Sequence, residues 1–351
     1  MTSRENILRS INFERPDYIP IAFHINEACW DHYPVEALKD LMADHKFLFP
    51  DFEGGPGRAE FDYLIPERVG QPFTDGWGCV WETAMDGIVG TVTKHPLASW
   101  DNFEDFTAPD PEVDSGKGPV DWEKLHHDIE STKTNGQLTV GGLRHGHTFQ
   151  TLTDIRGYEN LLLDMADGDP RLDKLIDMVE EFNMYVVQRY LKMNVDWMGY
   201  PEDLGMQVGP MLSPGQFHKY IKPSYERLMA PAREKGVIVH MHSDGYIHDL
   251  VDNLIDGGVN AINLQDLVNG IDWIKDKLKG KVCIDLDIDR QLITAKGTPR
   301  QIDELIREEV EKLGSQQGGL MMIFGLYPSV PLENIKALMD AMERYAFYYS
   351  D

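Results

Sequence analysis

Cysteine is scarce in this chain of 351 residues: there are three, Cys29, Cys79 and Cys283, scattered and without a Cys-x-x-Cys pair. That excludes a disulfide framework and leaves small buried thiols as the reading of all three. Positive charge is short as well, with 33 Lys and Arg against 59 Asp and Glu, a formal net charge of −26. An excess of that sign repels phosphate backbones and anionic bilayers, so no nucleic acid and no membrane is expected as a partner. No apolar run is long enough to span a bilayer, and the opening Met1-Thr-Ser-Arg-Glu-Asn-Ile-Leu-Arg lacks the apolar core of a signal peptide. The expected location is cytoplasmic. A Gly-x-Gly-x-x-Gly between a strand and a helix is also missing, which removes the phosphate cradle of a dinucleotide-binding sheet.

What is present is a rhythm. Hydrophobic residues make up 42% of the chain, enough for a large core. Short apolar runs at 18–23, 138–142, 196–200, 237–242, 261–264, 282–285 and 320–324 read as strands. Helical patterns fall between them at 158–167, 171–193, 214–235, 247–255, 271–278, 299–313 and 331–345. In the second of these, Leu172, Leu175, Ile176, Val179, Phe182, Val186 and Tyr190 recur at spacings of three and four, one face of an amphipathic helix. Repeated βα units, with room for one more strand in the middle, close naturally into a (β/α)8 TIM barrel with an N-terminal elaboration, and a doubly wound open sheet is the competitor. A single domain over 1–351 is expected, with 44–136 as a cap-like insertion near the barrel mouth. That insertion is rich in Gly, Pro and Trp, and 78–82 with 90–94 look like hairpin arms around Asp86-Gly87.

βα barrels do their chemistry at the C-terminal ends of the strands, where the connecting loops share one opening. The inferred strands are followed by His24, Asn26 and Glu27, then by Arg144, His145 and His147, then by Glu202 and Asp203. Later ends carry Ser243-Asp244-Gly245, Gln265-Asp266, Asp285 and Asp287, and finally Gly325 and Tyr327. Asp commonly follows a strand only to cap the next helix, so Asp203, Asp266 and Asp287 each read first as structural. The stretch "VIVHMHSDG", 237–245, is different. Alternation puts His240, His242 and Asp244 on one face, where imidazoles and a carboxylate hold a divalent metal or relay a proton.

From "SRENILRSINFERPDYIPI" through "RGYENLLLDM", "VDWMGYPEDLGMQVGPMLSPGQFHKYIKPSYERLM", "GVIVHMHSDGYIHDLVDNLIDGGVNAINLQ", "DIDRQLITAKGTP" and "PSVPLENIKALMDAM", the chain resembles the uroporphyrinogen decarboxylase superfamily. The resemblance implies an eightfold barrel and two branches, porphyrinogen decarboxylases and corrinoid-dependent methyltransferases. The decarboxylases carry an arginine-bearing segment after the first strand, where this chain has His24-Ile25-Asn26-Glu27. An octa-acid would meet Glu27 and a strongly negative protein without that clamp. Thiol-directed methyltransferases of the superfamily hold zinc with a His-x-Cys and a later Cys, and here those places read His242-Ser243-Asp244 and Phe324.

The branch the resemblance favours takes a methyl group from a methoxylated, aromatic compound and passes it to the cobalt of a corrinoid (cobalamin) carrier protein, an O-demethylation. For that chemistry His242 and Asp244 are expected to protonate the leaving oxygen, or with Glu202 to bind a metal such as zinc that polarises it. Asn26, Arg144, His145, His147, Tyr200, Phe324 and Tyr327, with Trp197, are the expected substrate contacts. The implied partners are the corrinoid carrier and a small methoxylated substrate, and a homodimer is open. The alternatives are a decarboxylase and a barrel that binds a small molecule without catalysis.

Overall fold

The structure, a computed structural model, describes residues 1–54 and 63–350. Seven parallel strands form one curled sheet: β1 (Ile21–Ile25), β5 (Val140–Gly142), β6 (Trp197–Pro201), β7 (Ile238–Ser243), β8 (Ala261–Gln265), β9 (Cys283–Asp287) and β10 (Leu320–Leu326). Their order is β1-β10-β9-β8-β7-β6-β5, the succession of a βα barrel, with helices between the strands. The seven coincide with the seven inferred from sequence. The further strand expected in the middle does not form among the described residues. Instead Phe73–Thr74 (β2), Val80–Glu82 (β3) and Thr91–Lys94 (β4) make a separate antiparallel sheet. Its turn needs a glycine: Gly87 has φ +79°, and a Cβ there would lie 2.8 Å from the Ala28 nitrogen.

This small sheet and its flanks touch both edges of the large one. Gly87 abuts the loop after β1, while the Leu97 N–H donates to the Ile155 carbonyl at 3.0 Å and Trp77 packs on Phe182 with ring centroids 5.1 Å apart. At the opposite end of the barrel the helix Ser3–Ile11 closes the floor, with Ile7, Leu8 and Ile11 against Ile238, Cys283, Met321 and Trp197. Arg4 fixes it there by a two-pronged pair to Asp196 at 2.9 and 2.6 Å.

Outside the sheet lies the helix layer. Pro170–Lys192 begins with Asp169 accepting from the Arg171 N–H and Pro170 in the first turn, and it buries Leu172, Leu175, Val179 and Phe182. Each such side chain contributes about 1.5–3 kcal/mol on burial. The segment expected to be one helix over 214–235 instead widens to a π-turn at Phe217–Ile221 before continuing as Lys222–Glu234. Pro223 lacks the N–H that would continue the regular i→i−4 ladder.

Candidate active site

Parallel pairing puts matched residues of adjacent strands at one level, and alternation turns every second one inward. Gly199, His240, Ala261 and Cys283 share one level, and Pro201, His242, Asn263, Asp285 and Met321 share the next. Nearer the mouth stand Gln265, Asp287 and Ile323, then His24 and Gly325. The interior is therefore polar, while the helix-facing side is apolar: Met198, Tyr200, Val239, Met241, Ile262, Leu264, Leu286 and Phe324 are all buried.

His242 is the centre of the polar level. Its Nδ1 is hydrogen-bonded to the Asn263 side-chain oxygen, and its Nε2 lies 3.4 Å from Asp203 Oδ1 and 3.8 Å from Asp244 Oδ1. Burial opposes charge on the ring, but the Asp203 hydrogen bond, with Asp244 and Asn263, outweighs it and pushes His242 up to about 9. His145 Nε2 lies 3.3 Å from the same Asp203 oxygen, and one ligand atom from each of His145, Asp203 and His242 falls within 4.8 Å of the others. Burial pushes Asp203 up, yet the two imidazoles overcome it and hold the carboxyl well below the usual range.

Two loops bring these groups together. The Asp244 N–H donates to Asp203 Oδ1 at 3.2 Å and the Gly205 N–H to the Asp244 carbonyl at 3.2 Å. A Cβ on Gly245, where φ is +81°, would lie 2.2 Å from the Gly205 carbonyl, so only glycine allows the crossing. Above it, Arg290 Nη2 bridges Asp244 at 3.1 Å and Asp287 at 2.7 Å, and its guanidinium sits 5.6 Å from the Tyr327 ring centre. Burial pushes Asp287 up to about 7 despite Arg290.

Several expected site residues stand elsewhere. Glu202 is fully buried and accepts from the Thr148, Phe149 and Gln150 N–H groups at 3.1, 2.9 and 2.8 Å and from the Tyr225 hydroxyl at 2.5 Å. It anchors the start of the helix Phe149–Arg156, and Asp203 takes the place at the cluster that Glu202 was expected to hold. His147 is enclosed beside it, bonded to Thr148 Oγ1 at 2.6 Å and pushed down to about 3 by burial, so it is a neutral interior ring beyond reach of a substrate. Tyr200 and Phe324 belong to the helix-facing side: the Tyr200 hydroxyl donates to the Leu228 carbonyl at 3.0 Å, and Phe324 packs on Phe23.

Asn26 turns its side-chain oxygen back to the Ala28 N–H at 2.9 Å, and Arg144 donates to the Thr151 hydroxyl at 2.7 Å. His240 lies a level deeper than His242, paired with Asp285 at 2.8 Å and stacked on Trp197 at 4.2 Å. Asn263 and Arg290 escaped sequence reasoning. The signal for Asn263 was its register opposite His242, which needs the strand pairing; Arg290 lies in a loop and carries none.

A family model described as Uroporphyrinogen decarboxylase (URO-D) matches residues 78–345. None of the curated proteins matches the chain in sequence. Among solved structures, a methyltransferase from Methanosarcina mazei aligns over 98% of this chain and 99% of its own, with 17% identity and a TM-score of 0.67. At that identity the likeness is one of fold. A D-psicose 3-epimerase (10% identity, 66% of this chain and 86% of that one, TM-score 0.41) and a Gloeophyllum trabeum endo-beta-1,4-xylanase (13%, 64% and 80%, 0.40) are too distant to carry an argument. No helix among the described residues is long and apolar enough to cross a membrane.

Proposed function

This chain belongs to the uroporphyrinogen decarboxylase family, and from that membership we propose that it is a methyltransferase moving a methyl group from a small methoxylated, aromatic compound to the cobalt of a corrinoid carrier protein. The observation that carries this reading is His242, held with a proton on the barrel's polar level by Asp203, Asp244 and Asn263. The corrinoid, when its carrier is bound, supplies the nucleophile for the methyl carbon. The chain's own task is the other end of the breaking bond. A phenolate leaving group, of pKa ~10 by the tyrosine analogy, needs a proton as the C–O bond breaks. His242 holds one at Nε2, close to the required acidity, and gives it to the ether oxygen. The products are a phenol and a neutral imidazole, which solvent reprotonates. Asn263, bonded at Nδ1, fixes the ring so that Nε2 faces the mouth.

A porphyrinogen decarboxylase is the poorer fit. Arg290, beside Asp244, is already shared by Asp244 and Asp287, so a polycarboxylate would enter among carboxylates with that arginine engaged.

One observation favours a second version of the transferase. His145, Asp203 and His242 form an N,N,O donor set that zinc accepts, although the thiolates of the thiol-directed enzymes are gone. The residues fit such an ion, and when bound it would polarise the ether oxygen. It would require His242 Nε2 without its proton. Incubation with a reduced corrinoid carrier and a panel of methoxyarenes, with phenol release as readout, tests the function. His242→Ala is expected to lower the rate by about 10²–10⁴ with the fold intact, and a wild-type rate in that variant removes His242 from the mechanism. Elemental analysis separates the versions: full activity without a divalent metal leaves the proton donor.

A further inference from the structure

A second group of polar side chains lies on the far side of Arg144, between the helix Phe149–Arg156 and the small antiparallel sheet. The Arg144 side chain is only 10% exposed. One of its amino nitrogens bonds to Thr151, while Nη1 is buried with no hydrogen-bond partner. Trp77 is 2% exposed, and its indole N–H is likewise buried and unpartnered. Both gather around Gly116: a Cβ there would lie 2.9 Å from Trp77 Nε1 and 3.5 Å from both Arg144 Cδ and Phe182. The next residue, Lys117, sets its ammonium 4.0 Å over the Trp81 ring.

Two buried donors left unpaired are expensive in a folded interior, and their convergence marks a place for an acceptor. Asp154 lies 3.8 Å from Arg144. Asp75 accepts from the backbone N–H groups of Trp77 and Cys79 at 3.0 and 2.9 Å and from the Trp81 indole N–H at 2.8 Å. With Asp154 uncharged, Arg144 and Lys117 against Asp75 leave one positive charge unmatched, which suits a monoanion, whereas Asp75 would repel a phosphate dianion. A cavity of about 190 Å³ borders Arg144, and the Phe182, Trp122 and Tyr190 rings that line it suit a flat apolar body.

We propose that this pocket binds the carboxylate of a small aromatic monocarboxylic acid, gripped by Arg144 Nη1, the Trp77 N–H and Lys117. As an assignment of substrate class it rests on the function proposed above; the binding itself does not. Asp154 supports it, since burial, against the pull of Arg144 and Lys117, pushes its carboxyl up to about 7. Asp154 can thus meet the guest as a neutral acid.

The test is calorimetric titration of the whole protein at neutral pH with benzoate, benzamide and inorganic phosphate. Benzoate should bind, with benzamide at least about tenfold weaker and phosphate weaker still, because the neutral amide forfeits the charge-assisted hydrogen bonds. Arg144→Gln and Lys117→Gln should each weaken benzoate by about tenfold while leaving benzamide nearly unchanged. If Arg144→Gln does not fold, Trp77→Phe removes one donor while keeping an aromatic ring and should weaken benzoate in the same sense. No benzoate binding to the wild type, equal binding of benzoate and benzamide, preference for phosphate, or undiminished benzoate affinity in the folded variants each overturns the assignment. Benzoate binding as described in a protein that transfers no methyl group would sink the transferase reading and leave the pocket standing.

Discussion

His242 is a proton store whose capacity is set by its neighbours. With its ring at about 9, methyl transfer through it should hold level across neutral pH and fall as pH rises through about 9. Asp203→Asn removes the hydrogen-bonding carboxylate that raises the ring most and should move that limb down towards the ordinary imidazole value of ~6.5. A limb unmoved in the variant would mean that Asp203 is not the partner that matters. The same linkage reaches stability: the His242 contribution is fully present below the unfolded value and lost as pH rises through the folded one. Glu202 sits one residue from Asp203 and has an unrelated task. Glu202→Ala strands three N–H groups at a helix start, and a loss of about 3 kcal/mol or more in unfolding free energy is expected from urea titration. A loss below about 1 kcal/mol would contradict the anchoring role.

The strands themselves were legible because apolar runs of β-branched and long side chains alternate with helical patterns, and His145, His242 and Asp244 were legible because barrel chemistry gathers where strands end. What sequence could not supply was parity. Once Gly199 and Pro201 are paired with His240 and His242, they must face inward, so Tyr200 and Glu202 face the helices and Asp203 faces the mouth. The same rule turns Phe324 outward and Gly325 inward. One missing register thus accounts for Glu202, Tyr200 and Phe324 together. The loops after β6 and β7 are the elements that make the cluster, through the contact of Gly205 with Gly245. Gly245→Ala combines an unfavourable φ with a backbone collision, and it should lower the unfolding free energy by well over ~1 kcal/mol. Any enzyme that still folds should lose methyl transfer more than Gly236→Ala, where φ is also positive but nothing lies within 4 Å.

At the scale of the molecule, the barrel read from the βα rhythm is the fold observed, with seven of its strands paired among the described residues. An eightfold repeat read from sequence assumes that each segment of suitable length becomes a stave, but the Gly- and Pro-rich insertion spends its strand-forming residues on a sheet of its own. Its Trp residues went to packing and to the second pocket, and their roles could be assigned only after the insertion was seen beside Arg144.

Because the large sheet begins at β1 and ends at β5, it has a seam, and no strand among the described residues pairs with the outer edge of either. A hoop with a seam is not equally stiff around its circumference. Val140, on the seam, is 50% exposed, whereas Ala261, Ile262 and Leu264, on the opposite wall, show no exposure at all. In deuterated water the amides of β5 should therefore exchange first and those of β8 last, in a gradient that runs from seam to far wall.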